Sequence, residues 1–422
     1  MRSSARTLLA LLVLMGSSSS LFAQASDEMG CIVCHGSEGK QFKSSVHVQA
    51  KLTCVDCHGG DPAPMDKEAA HGDGLVTAGE AMSGVELCAS CHSDAGSMRG
   101  TGLRTDQHSL YLTSQHGLLL ESDESAPVAT CVSCHGSHAI HRTTDPRSPA
   151  QKFNQPETCG ECHSDASVME PFGLDSHGVA EYSASAHGRA LLESSHLSSP
   201  TCTDCHGSHG AAPPGYETVG RVCGDCHSVV LDYFEDSPHM APASSGQIEE
   251  CTSCHGYHNI EQLDASMLIG GAASRCAECH SDPDDPALAV GESLHAALVD
   301  FDGRIEDAEE KIRTAGLRGF FMDREHGYLD EARSLRARAR SMTHSLAPDQ
   351  LHELLVRGEG MIGQTYDSLS VKARTFRDRK IFTSIFLAVI LLLVGVLQTY
   401  RREIFGSLLR VNLGTRRRRR DG

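Results

Sequence analysis

The feature that most constrains this chain is a five-residue segment that keeps returning. Cys-x-x-Cys-His begins at Cys31, Cys54, Cys88, Cys131, Cys159, Cys202, Cys223, Cys251 and Cys276. The second cysteines are Cys34, Cys57, Cys91, Cys134, Cys162, Cys205, Cys226, Cys254 and Cys279, so the nine segments use all eighteen cysteines. No thiol is left for a disulfide or a free nucleophile. Structural zinc could use paired cysteines, and disulfides could use an even count. Neither requires a histidine directly after every second cysteine. The spacing suits covalent attachment of a c-type haem, with two thiols adding to the vinyl groups and the adjacent histidine carried onto the iron. Those proximal histidines are His35, His58, His92, His135, His163, His206, His227, His255 and His280.

On these nine motifs, over roughly Cys31 to His295, the chain resembles the multihaem c-type cytochromes. The resemblance implies nine covalent haem c groups, usually with two histidines on each iron. Of the 25 histidines, nine belong to the motifs, and two recurring contexts single out candidates for the second axial position. Ser-x-His occurs at His47, His116, His187, His239 and His295. A histidine three residues beyond the proximal one occurs at His138, His209 and His258. His71, in Ala-Ala-His-Gly, completes a set of nine, with His108 and His177 as rivals. His141 and His196 read as surface residues, and Met98 and Met169 as packing rather than axial ligands. Two axial histidines would hold the potentials low, because an axial methionine is the usual way to raise them.

An internal repeat organises this region. Displaced by seventy-one positions, 88–138 falls on 159–209, with Tyr111 on Tyr182, Ser114 on Ser185, His116 on His187 and His138 on His209. Each copy carries two motifs, and looser copies flank it around His47 and His239. The chain has no Trp and few aromatics. A segment so poor in bulky residues does not offset its ordering entropy unaided. The expected fold is therefore mainly α with extensive loops: an array of two-haem modules, then a helical bundle stalk and one C-terminal transmembrane helix.

The expected boundaries follow from composition. Residues 1–25 read as a signal peptide, with Arg2 and Arg6, an apolar core and Ala23-Gln24-Ala25 as cleavage site. Residues 26–286 form the haem domain and 287–380 an amphipathic stalk. The stalk carries apolar residues at alternating spacings of three and four from Leu294 to Ala315, from Tyr328 to Leu346 and from Leu351 to Phe376. His326, His344 and His352 lie there and read as surface or packing residues, with His344, near a turn, as the one with an alternative role beside a neighbouring haem. Residues 381–400 form the transmembrane helix, Ile381 to Thr399 carrying no charge over a length sufficient to span a bilayer. The basic tail, 401–422, includes Arg416 to Arg420.

Arginines beyond the span, together with the leader, place the haems outside and the C-terminus inside the cytoplasmic membrane. The formal net charge of -18 argues against nucleic acid and for basic redox partners. The expectation is an electron relay between the membrane quinone pool, or a quinol-oxidising partner subunit, and a periplasmic or extracellular acceptor. The alternative is a multihaem reductase of nitrite, hydroxylamine or a sulfur oxyanion, which needs one iron with an open position. No motif marks such an iron.

Overall fold

A computed structural model describes residues 29–72, 74–76, 81–214, 219–261, 264–269 and 274–418, the side chains of 29 and 407–418 excepted. The leader and its cleavage site lie outside the described residues, as does the end of the arginine tail. The described chain is mainly helical and has no strand. It divides into two units, 1–228 with 239–263, and 229–238 with 264–422. The second unit thus begins ahead of the boundary at 286 that composition suggested, and it takes in the ninth motif.

In the first unit, short helices are set by local hydrogen bonds rather than by long apolar faces. The repeat shows how. Helices α1 (Gln107–Thr113) and α2 (Gln115–Ser122) meet at Ser114, as α3 (Gly178–Ala184) and α4 (Ala186–Leu192) meet at Ser185. Each serine is buried and caps the second helix, its Oγ accepting from Gly117 N or Gly188 N at 3.0 Å. The corner is so tight that a Cβ on Gly117 or Gly188 would stand 2.0 Å from the carbonyl oxygen of Tyr111 or Tyr182. Only glycine fits there. The tyrosine hydroxyls then donate to carbonyls eighteen residues on, Tyr111 to Ala129 at 2.9 Å and Tyr182 to Pro200 at 2.8 Å. The repeat is thus one corner built twice.

A second device joins distant copies. Val46 N donates to Ile140 O, Gln115 N to Ala211 O and Ala186 N to Ile260 O, at 2.7–3.0 Å. Each bond ties a Ser-x-His corner to the chain just beyond a histidine of the other context, pairing the backbones that carry His47 with His138, His116 with His209 and His187 with His258.

The second unit is a three-helix bundle of α5 (Pro286–Leu317), α6 (Asp323–Met342) and α7 (Pro348–Arg418). Its core follows the stripe read from the sequence, with Leu294, Leu298, Phe301, Ile305 and Ile312 on α5, Ala332, Leu335 and Ala339 on α6, and Leu351, Leu355 and Ile362 on α7, except that Leu329 rather than Tyr328 is the buried residue at the start of the α6 stripe. Each fully buried Leu, Ile or Phe contributes about 1.5–3 kcal/mol. Arg304 pairs with Glu359 at 2.6 Å and Tyr366 donates to Asp307 at 2.6 Å, so α5 and α7 run the same way. Inside the bundle, Glu325 is fully buried and pairs with Lys372 at 2.6 Å. α7 continues without a break from the bundle through the uncharged run. It is the one described helix long and apolar enough to cross a membrane, and that stretch is not buried in the protein.

Candidate metal centres

None of the eighteen cysteines is joined to another as a disulfide. Among the described residues no three His, Cys, Asp or Glu side chains converge as a zinc site would require. The histidines instead meet in twos. His35 lies 6.0 Å from His71, His47 6.1 Å from His92, His58 6.1 Å from His138 and His116 6.1 Å from His163, measured between ring centroids. His135 lies 6.1 Å from His209, His187 6.1 Å from His227 and His206 5.9 Å from His258.

The separation is nearly constant although the angle between the ring planes ranges from 15° to 63°, as a shared metal between the rings would require. Two imidazoles on opposite sides of one metal, each bonded through a ring nitrogen at about 2.0 Å, place their centres roughly 6 Å apart. All seven pairs fit a single ion between the rings. In every pair one member is a motif histidine and the other one of the nine second-position candidates.

The pairing follows a rule. The Ser-x-His histidine ahead of one motif faces the histidine of the next motif: His47 precedes Cys54 and faces His92, His116 precedes Cys131 and faces His163, and His187 precedes Cys202 and faces His227. The histidine three residues after a motif faces the motif two places back: His138 faces His58, His209 faces His135 and His258 faces His206. Each repeat copy therefore completes its neighbours.

The local electrostatics suit neutral imidazoles. Burial pushes His47, His92, His116, His135, His163, His187, His206 and His209 below the ordinary histidine value, leaving a lone pair for a metal. The far ring nitrogen of several motif histidines is fixed by a neighbour. His58 Nδ1 meets Val76 O and His206 Nδ1 meets Ala212 O, each at 3.2 Å, while His280 Nδ1 meets Asp285 Oδ2 at 2.9 Å. Such bonds orient a ligand and leave Nε2 for the metal.

Eight of the nine motifs fall into two kinds that the sequence reading did not separate. Those at Cys54, Cys131 and Cys202 follow a threonine whose backbone N–H donates to the side chain of Asp56, Ser133 or Asp204, at 2.6, 3.1 and 2.7 Å. These three, and the one at Cys251, end on a glycine with φ between +67° and +81°: Gly59, Gly136, Gly207 and Gly256. The motifs at Cys88, Cys159, Cys223 and Cys276 continue into serine instead. Thr-Cys-x-x-Cys-His-Gly against Cys-x-x-Cys-His-Ser was the available signal.

Adjacent motifs also touch. Cys131 shares a thiol hydrogen bond with Cys88, Cys159 with Cys202 and Cys251 with Cys223. Between these, Cys57 feels Cys88 and Cys91, Cys134 feels Cys162, and Cys205 feels Cys223 and Cys226; in each case burial first, and the neighbouring sulfur second, pushes the thiol up. From the second motif to the eighth, each motif thus has a cysteine within electrostatic reach of one in the next, in sequence order.

The remaining candidates are placed as follows. His239 precedes the helix Met240–Ser244, His255 ends the helix Thr252–His255, and His295 sits half-buried on α5, near Asp264. The two rivals face carboxylates: His108 Nε2 meets Glu86 at 3.2 Å, and exposed His177 lies 3.6 Å from Asp175. His141, expected on the surface, is buried, tucked behind the corner where Val46 meets Ile140. Met169 is buried as packing.

The seven imidazole pairs spaced for one metal, each including the histidine of a Cys-x-x-Cys-His segment, follow one another from His35 to His258. The chain is similar to the multihaem cytochrome MtrA of Shewanella baltica (strain OS185), with 26% identity over 263 residues, 47% of this chain and 76% of that protein. No protein-family model matches the chain, and no solved structure matches it.

Proposed function

We propose that the chain is a membrane-anchored nonahaem c-type cytochrome that relays electrons outside the cytoplasm. The observation that carries this reading is the uniform spacing of 5.9–6.1 Å in seven His–His pairs, each containing a motif histidine. The cysteines named above would hold the haems as thioethers, and the paired histidines would ligate their irons. Bound there, the haem irons supply a one-electron ferric/ferrous couple. The chain's own contribution is spacing and orientation. The electrostatic influence of each motif's cysteines on the next, from Cys57 to Cys251, supports successive sites being neighbours in the order in which the motifs occur along the chain. Two axial histidines at each paired site hold the potentials low and leave no sixth position open for a small substrate, which favours relay over reduction of an oxyanion.

The uncharged part of α7 anchors this assembly in the cytoplasmic membrane, with the haem domain on the periplasmic or extracellular side. At 1.5 Å per residue, the Arg304–Glu359 and Asp307–Tyr366 contacts set Asp285, beside His280, roughly 55 Å along the bundle from Ile381. Tunnelling decays exponentially with distance, so quinol in the bilayer does not reduce the ninth site directly. The span itself carries no histidine. Electrons from the quinone pool reach the array at another site or through a quinol-oxidising partner subunit, and leave to a separate acceptor protein. The acidic exterior favours basic surfaces on those partners.

Low-temperature EPR of the oxidised, detergent-purified protein, with spins quantified against haem content, tests the relay. Nine low-spin irons per chain support it. A stoichiometric high-spin iron that shifts on adding nitrite or hydroxylamine overturns it in favour of a reductase.

A further inference from the structure

The bundle ends, on the side facing the uncharged run of α7, in the hairpin between α5 and α6, with the sequence Leu317-Arg318-Gly319-Phe320-Phe321-Met322. Two of its apolar side chains face solvent to an extent unusual for their type: Leu317 is 79% exposed and Phe321 88%. Isolated exposed apolar residues are ordinary, but a Leu and a Phe together at a hairpin tip are not explained by the fold.

The tip is fixed in height. Lys372 Nζ donates to Phe321 O, and the rings of Phe320 and Phe376 pack edge to face with centroids 5.2 Å apart. Phe376 is five residues before Ile381, about 7–8 Å along the helix axis. The polar layer on each side of a bilayer is roughly 5–8 Å thick. If Ile381 enters the hydrocarbon, the tip lies in the headgroup layer. Aromatic and aliphatic side chains backed by cations are the residues that settle at that depth.

The charges agree. Arg318 is on the tip, and a cavity of about 360 Å³ beside it is lined by Lys311, Thr314, Phe320, Leu369 and Lys372, with Glu310 also in the wall. Glu310 is engaged by Arg313. Lys311 pairs with Asp307 and Lys372 with Glu325, so the cation turned outward with the tip is Arg318. Just below, Arg374, Arg379 and Lys380 ring α7.

We propose that the α5–α6 hairpin is a second membrane contact, in which Leu317 and Phe321 enter the headgroup layer and Arg318 meets the phosphate of an anionic phospholipid. This rests on the reading of α7 as a span. With one helix crossing the bilayer, the bundle could swivel about it; a second contact point off the helix axis fixes its tilt.

The chain contains no tryptophan, so a single introduced one is a clean reporter. Full-length haem-loaded protein carrying Phe321→Trp, Ile390→Trp or Val299→Trp is reconstituted in phosphatidylcholine bilayers with and without phosphatidylglycerol, using brominated lipids as quenchers. The expected result is quenching and a blue shift at 390 and at 321, and neither at exposed Val299 on α5. Adding Arg318→Ala to Phe321→Trp is expected to lower the inserted fraction roughly fivefold with phosphatidylglycerol and leave it unchanged without. Quenching at 390 with none at 321 in either lipid overturns the hairpin contact alone. No quenching at 390 overturns the span, and the hairpin contact with it. Quenching at 321 that ignores both lipid charge and Arg318 overturns the phosphate contact.

Discussion

His209 faces His135 from a different repeat copy, their ring centroids 6.1 Å apart and their planes within 15°. The relationship is not local, and it is specific: His209 completes the site of a motif two places back and not that of its own neighbour, His206, which faces His258. His209→Ala should therefore convert one iron per molecule, that of Cys131–Cys134, to high spin while the others stay low spin. Quantitative EPR, with carbon monoxide binding to the reduced protein at one equivalent, checks this. If the change appeared at the Cys202–Cys205 haem, mapped by adding Cys202→Ala and Cys205→Ala to remove that haem, the cross-copy rule would fail.

Much of the candidate site was legible because covalent haem chemistry demands a fixed local pattern. Cys-x-x-Cys-His reads directly, and Ser-x-His stands out because a buried serine must cap a helix at a tight corner, as Ser45, Ser114 and Ser185 do. Partnership was not legible. That His47 meets His92 rather than His58 depends on the Val46–Ile140 hydrogen bond, a tertiary contact that leaves no periodicity in the sequence. The bundle stripes read well because packing between long helices obeys a simple spacing, as Leu294, Leu298, Phe301 and Ile305 show. The boundary near 264 did not, because Tyr233 and Leu268 pack against the bundle core from short segments outside the three long helices.

The distribution of apolar burial predicts how the chain behaves without haem. Among the described residues, the buried apolar side chains ahead of residue 264 are only Val85, Ala89, Tyr111, Leu120, Met169, Leu191, Val219 and Ala243, whereas the bundle buries sixteen. Ordering a residue costs about 1–2 kcal/mol, so eight such side chains over more than two hundred residues leave the first region without a core of its own. A chain produced without haem attachment should lose 29–263 to limited proteolysis while 286–376 resists. Mass spectrometry of the digest decides; equal resistance of both regions would refute the argument.

Glu325 gives the bundle a defined acid limit. Burial alone would push its carboxyl up, but the Lys372 ammonium and the Ser368 hydroxyl outweigh that and hold it below the ordinary glutamate value. A depressed native value stabilises the fold above the unfolded value of about 4.3. That contribution drains away as pH falls through the native value. Melting of the bundle, followed by far-ultraviolet circular dichroism, should weaken below about pH 4.3, and Glu325→Gln should remove part of that dependence. At neutral pH the substitution leaves Lys372 without its carboxylate and should cost about 2 kcal/mol. A variant as stable as the parent at pH 7 would show the pair to be neutral in effect.

Asp285 does two things at once. Its Oδ1 accepts from Ala287 N at 2.8 Å, capping α5, and its Oδ2 meets His280 Nδ1 at 2.9 Å. The capping bond first, then the histidine, hold its carboxyl below the ordinary aspartate value, so it is charged at neutral pH. A carboxylate on the far nitrogen of a ligating histidine makes the imidazole a stronger donor and favours the oxidised metal. Asp285→Asn keeps an oxygen for the cap and removes the charge, so the haem held by His280 should titrate at a higher potential while the helix content stays unchanged. Asp285→Ser also keeps the cap but cannot reach the imidazole, and should shift the same haem in the same direction. Spectroelectrochemistry on the full-length protein reads both. Were the potentials of both variants to match the parent, His280 would not be held on a metal through its other nitrogen, and the ninth site would need a different ligand.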